Sequence, residues 1–214
     1  MRPITATVGP LATASANNIA LSQTPGAAGA LTLNGSLVVA GVAVLDNPRR
    51  VLITTADTTH TFTVTGATPT GSVISEVVGP ITTSAYTAQD FKTVTSITIN
   101  GAATAAVTVG TNGIASTPWV RLDEWSPGSV SIQVNVTGTV SYTVQSSNDD
   151  PNSPTNPVTP SAVTWINTND ANAVNATAAV QTNFLIVPLW GRVLLNSGTG
   201  SLSATFVQSG VVSR

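Results

Sequence analysis

The chain has 214 residues, enough for one large β domain or two small ones. Only 7% of residues are charged and 42% are hydrophobic, so a core can form but the exterior must be coated with Thr, Ser, Asn and Gln. That composition excludes a highly charged disordered chain; seven Lys and Arg against nine Asp and Glu exclude a nucleic-acid binder, and the lack of Cys excludes disulfide scaffolds and thiolate zinc sites.

Residues 1–30 are small and polar, with Pro10, Pro25 and several glycines, and show no sustained period. They are expected to form an irregular N-terminal arm, with no signal peptide because no apolar stretch follows Arg2. The most apolar run, Leu37 to Leu45, is nine residues with Gly41 inside, far short of a membrane span. Period-2 stretches follow: Val51 and Ile53 alternate with Leu52 and Thr54, and His60, Phe62 and Val64 alternate with Thr61, Thr63 and Thr65. Ile97 and Ile99, the turn signal Asn100-Gly101, then Val107 and Val109 predict a hairpin with a long loop.

In the second half Val130, Ile132, Val134 and Val136 alternate with polar residues, the pattern of a half-buried strand. Thr137-Gly138-Thr139 turns the chain and Val140, Tyr142 and Val144 return. Val193 and Leu195 lead through Asn196-Ser197-Gly198-Thr199-Gly200 to Leu202, Ala204 and Phe206. Asp149-Asp150 opens a segment carrying Pro151, Pro154, Pro157 and Pro160, which cannot lie in a ladder and must be an exposed loop. No apolar 3.6-residue period survives three turns, and only Ala171 to Ala179 could form a short helix. The expected fold is all-β: the arm (1–30), then two tandem antiparallel β-sandwich domains (31–117 and 118–214). The halves echo one another loosely, as either a tandem duplication or strand periodicity alone would produce.

Catalytic chemistry has little to stand on. His60 is the only histidine, with no nucleophile elbow in the chain, and reads as a packed or surface residue. Neighbouring acids on a strand point to opposite faces, so Asp123-Glu124 and Asp149-Asp150 do not converge on a substrate; a loop cation at Asp149-Asp150 is the alternative there. Arg49-Arg50 reads as a solvated strand start or an anion contact, and no phosphate-binding glycine motif occurs. Three N-x-S/T sequons, at Asn34, Asn135 and Asn175, are what chance supplies in so Asn- and Thr-rich a chain. No catalytic, cofactor or metal residues are assigned. The tryptophans say more. Trp119 and Trp125 lie between the halves, Trp165 follows the proline-rich loop, and Trp190 precedes Gly191-Arg192. They either fill a seam or anchor an interface, where Trp and Arg concentrate; Trp119, Arg121, Trp125, Trp190 and Arg192 are the interface candidates.

Several segments carry a resemblance. Pro48-Arg49-Arg50-Val51, Phe62-Thr63-Val64-Thr65-Gly66 and Glu76-Val77-Val78-Gly79-Pro80 resemble a recurrent stretch of structural proteins of tailed bacteriophage virions. Phe91 to Ile97, Val109 to Gly113, Pro118-Trp119-Val120, Tyr142 to Gln145, Asp149-Asp150-Pro151, Trp165 and Asn196 to Gly200 continue it, so that it spans about residues 40–210. The resemblance implies a virion component without enzymatic activity, assembled in the bacterial cytoplasm. Within the group the expectation is a head decoration (cement, or minor capsid) protein that binds the major capsid protein as a trimer or dimer, without nucleic acid or membrane. A neck, tail or head-fibre component and a carbohydrate- or receptor-binding module are the alternatives.

Overall fold

The computed structural model describes residues 2–122 and 128–208. The protein is all-β, and the regular elements among the described residues are strands and two short 3-10 turns. The strands are β1 (Arg2–Val8), β2 (Ser15–Gln23), β3 (Gly29–Ala30), β4 (Val38–Val39), β5 (Val42–Thr54) and β6 (Phe62–Ala67). Then come β7 (Val73–Val78), β8 (Ser84–Tyr86), β9 (Phe91–Ile99), β10 (Val107–Ser116), β11 (Val120–Arg121) and β12 (Val130–Thr137). The last are β13 (Val140–Ser147), β14 (Ile166–Asn167), β15 (Val180–Phe184), β16 (Trp190–Gly198) and β17 (Ser201–Gln208).

The chain divides into two compact units, residues 12–113 and residues 1–11 with 114–214, rather than at 30/31 and 117/118. In the 12–113 unit the long strand β5 lies between β10 and β9, followed outward by β6 and β7. Alternation places Val51, Ile53, Phe62, Val64, Ile97, Val107 and Val109 in one core, while Thr63 and Thr65 stay at the surface. The predicted hairpin of β9 with β10 does not form. Beyond Asn100, which pairs with Thr61, the connection is long enough to carry β10 to the far side of β5. A turn signal reports a change of direction; it does not name the neighbouring strand.

The dibasic pair also departs from its reading. Arg49 is on the core face of β5 and 1% exposed. Its guanidinium donates to the Ala12 carbonyl at 2.9 Å, to the Asn112 carbonyl and to Asp46 at 3.1 Å. It thus pins the first and last stretches of the 12–113 unit to β5. Asp46 also accepts from the Ala12 N–H at 2.7 Å. Burial works against its charge, but that bond and the guanidinium hold its carboxyl below the usual range.

The other unit is a β-sandwich. One sheet runs β1-β17-β12-β15; the facing sheet contains β14, β13, β16 and β11. Val130, Ile132, Val134, Leu202, Ala204 and Phe206 from the first sheet meet Val140, Tyr142, Val144, Val193 and Leu195 from the second. The turns at 137–140 and 198–201 therefore do not close hairpins: each carries the chain from one sheet to the other. The two arches stack, with Gly200 N–H donating to the Thr139 carbonyl at 2.9 Å. A Cβ on Gly200 would lie 2.2 Å from the Thr137 carbonyl oxygen, and one on Gly198 2.3 Å from that of Thr139.

The N-terminal arm is a correction. β1 pairs with β17 along its whole length, from Arg2↔Gln208 to Val8↔Leu202, and β2 pairs with β10. Ile4, Ala6 and Val8 alternate with Thr5 and Thr7, a period-2 pattern muted by the small Ala6. What burial those side chains lack alone, β17 supplies, because Ile4 lies opposite Phe206. β2 is secured by polar side chains: Gln23 exchanges hydrogen bonds with the Thr32 backbone, and Asn34 accepts from Leu21 N–H. The segment 148–165 is free of strand, as its prolines require, and contains one 3-10 turn at Pro160–Ala162.

Candidate functional site

The site is built on the outer face of the β13–β16 sheet. In β16 the order Trp190-Gly191-Arg192-Val193 sends Gly191 and Val193 toward the core and Trp190 and Arg192 to the opposite face. Register sets Gln145 of β13 opposite Arg192, and Gln145 accepts from the Arg192 Nε at 2.9 Å. The Gln145 amide donates in turn to Asn167 of β14 at 2.9 Å. Trp165, which immediately precedes β14, lies under the Arg192 guanidinium, 4.2 Å from Cζ to the ring centroid.

Trp119 stands edge-on to both neighbouring indoles, at 5.1 Å from Trp165 and 6.3 Å from Trp190. Arg121 in β11 is held opposite Trp190 by the ladder, with its guanidinium 5.4 Å from that ring and 3.6 Å from Asp150. The result is a run of three indoles with a guanidinium at each end: Arg121, Trp190, Trp119, Trp165, Arg192. Each aromatic pair is worth roughly 0.5–1.5 kcal/mol beyond the area it buries. Arg192 and Trp190 are buried, whereas Trp119, Trp165 and Arg121 keep part of their surface in solvent. The Trp165 and Trp190 indole N–H groups are buried with no acceptor among the described residues.

Beside the cluster is a cleft of about 620 Å³. One wall is Pro118 to Arg121 with Trp190 and Asn152; the other is Ile4 to Thr7 of β1. It opens beside β1, which among the described residues ends the four-stranded sheet. An aromatic and arginine wall facing a strand edge that no described strand pairs with is suited to holding polypeptide.

The structure therefore brings together four of the five interface candidates, Trp119, Arg121, Trp190 and Arg192; Trp125, like Asp123-Glu124, lies outside the described residues. Trp165 and Gln145 complete the cluster and β1 completes the cleft. Only strand register shows that β14 and β13 carry Trp165 and Gln145 to this face. The signal for β1 was its short Ile4-Thr5-Ala6-Thr7-Val8 alternation.

The remaining candidates serve the fold. His60 Nδ1 lies 2.9 Å from Asp57, a carboxylate with no exposed surface that also accepts from the N–H groups of Thr59, His60 and Thr104. Burial raises the Asp57 pKa, but the hydrogen bonds from Thr104, the His60 ring, Thr59 and His60 together outweigh it and leave the carboxyl well below the usual range. Asp149 accepts from Thr164 N–H and Asp150 from Asn152 N–H, so both organise the proline-rich loop. Among the described residues no group of three or more His, Asp and Glu is placed to hold a metal ion. No protein-family model and no curated protein matches the chain.

Proposed function

We propose that this protein is a non-enzymatic structural component of a tailed-bacteriophage virion, in its preferred form a decoration protein on the outer surface of the head. The observation that carries an assembly role is the partly exposed Trp–Arg cluster beside an open strand edge. Its composition is that of an interface centre, where aromatic residues and Arg dominate the binding energy. The viral assignment is supported by the sequence resemblance over about residues 40–210 and by the all-β architecture. Low charge suits a role in which many apolar and hydrogen-bonded contacts, repeated by symmetry, hold a protein to a lattice. The partner in this reading is the major capsid protein. A sugar-binding reading gains nothing from the cluster, because Trp165 and Trp190 have arginines over their rings and Trp119 meets them edge-on.

The test is binding to empty capsids by the wild type and by Arg121→Gln and Trp119→Ala, with folding checked by circular dichroism. The expected result is saturable binding that falls at least about tenfold in each folded variant, the loss expected of an interface anchor. Undiminished binding by both variants would remove the cluster from the interface.

A further inference from the structure

We infer that β1 is a self-pairing edge, through which two copies of the chain join their four-stranded sheets into one continuous sheet across a twofold axis. The inference rests on reading the cleft as an assembly interface and names what enters it. Among the described residues β1 is paired only on its β17 side, and its other edge, from Ile4 to Thr7, faces the cleft. A strand that docks there must continue the sandwich, with apolar side chains inward, small polar ones outward, and no charge along the join. The chain carries that pattern in β1 itself. Ile4, Ala6 and Val8 point to the core, and Thr5 and Thr7 are exposed.

Antiparallel pairing about Ala6 is self-complementary. It sets Ile4 opposite Val8 of the partner subunit, Thr5 opposite Thr7 of the partner subunit, and Ala6 opposite Ala6 of the partner subunit. Apolar residues then meet apolar and hydroxyls meet hydroxyls on the same faces of both copies. The half-buried Ile4 gains the cover that it lacks in one copy. Charge and proline, two devices that blunt a sheet edge, are missing from Ile4 to Val8; Pro3 lies outside the join. A net charge of −2 gives two copies little repulsion to overcome. The contact is isologous and closes on itself, so it yields a dimer and not a filament.

The experiment is sedimentation velocity of the full chain from about 1 to about 100 µM, a range spanning the affinities expected of a modest interface. Wild type is expected to pass from monomer to dimer, with rising hydrogen-exchange protection of β1 amides. Thr5→Lys with Thr7→Lys places like charges directly opposite across the join and should weaken the dimer about tenfold. Thr5→Lys with Thr7→Glu makes each facing pair opposite in sign and should restore it. Both positions are exposed, so neither double variant is expected to unfold the sandwich. A wild type that stays monomeric throughout, a trimer, or two double variants that associate equally well would overturn the inference. If wild type stays monomeric yet binds capsids, this inference fails while the proposed function stands; if it dimerises as described but does not bind capsids, the reverse holds.

Discussion

Asp57 shows how one side chain can organise a loop in a chain with so few ions. Its carboxylate gathers three backbone N–H groups and the His60 ring, joining residues 57–60 to Thr104, while its own carbonyl accepts from Ile81 N–H. Because these bonds favour the charged form, the folded-state pKa lies below that of the unfolded chain, which is near 4. The stabilisation is therefore complete above about pH 4 and is lost as pH falls toward the lower folded value. Urea midpoints of wild type and Asp57→Asn should differ clearly at pH 7 and converge as the solution is acidified below about 4. A gap that stays constant with pH would show that the carboxylate's charge is not what the loop uses.

At the scale of elements, alternation was the legible part. β5, β6, β12, β13, β16 and β17 all lie where period-2 runs put them, and Ile132 is fully buried among Val130, Val134 and Phe206. Ile132→Ala should cost about 2–5 kcal/mol in chemical denaturation; a loss under about 0.5 kcal/mol would mean that the site behaves as surface. Which strands are neighbours was not legible. Turn residues look alike whether the chain closes a hairpin or crosses between sheets, and here both glycine-bearing turns of the sandwich cross. Their stacking predicts that Gly200→Ala, whose new Cβ would meet the Thr137 carbonyl, costs more than about 1 kcal/mol. An unchanged midpoint would mean the arches have slack. β1 is faint in the sequence because Ala6 and Thr carry little hydrophobic signal, and its place depends on β17, almost two hundred residues away in sequence. The interface was legible in part for a similar reason. Trp119, Arg121, Trp190 and Arg192 announce themselves by residue type, but the contributions of Trp165 and Gln145 exist only through pairing of β14 and β16 with β13.

On the scale of the whole molecule, attachment to a lattice would come from weak contacts multiplied by symmetry rather than from charge. The 7% of charged residues leaves little for long-range attraction, and several of the ions, Arg49, Asp57 and Arg192 among them, are buried in the fold. A sandwich edge that pairs with its own copy and a Trp–Arg cluster beside it would give each dimer a defined outer surface and a defined seat on a repeating lattice. The most direct test is reconstitution of the purified chain onto empty phage capsids, with occupancy and position read by electron microscopy at about 0.1 and about 1 M salt, across which exposed ion pairs are screened. Ordered copies are expected at symmetry-related positions on the outer head surface, with nearly the same occupancy at both salt concentrations. Bare heads, copies confined to the neck or tail, or release at the higher salt would contradict it.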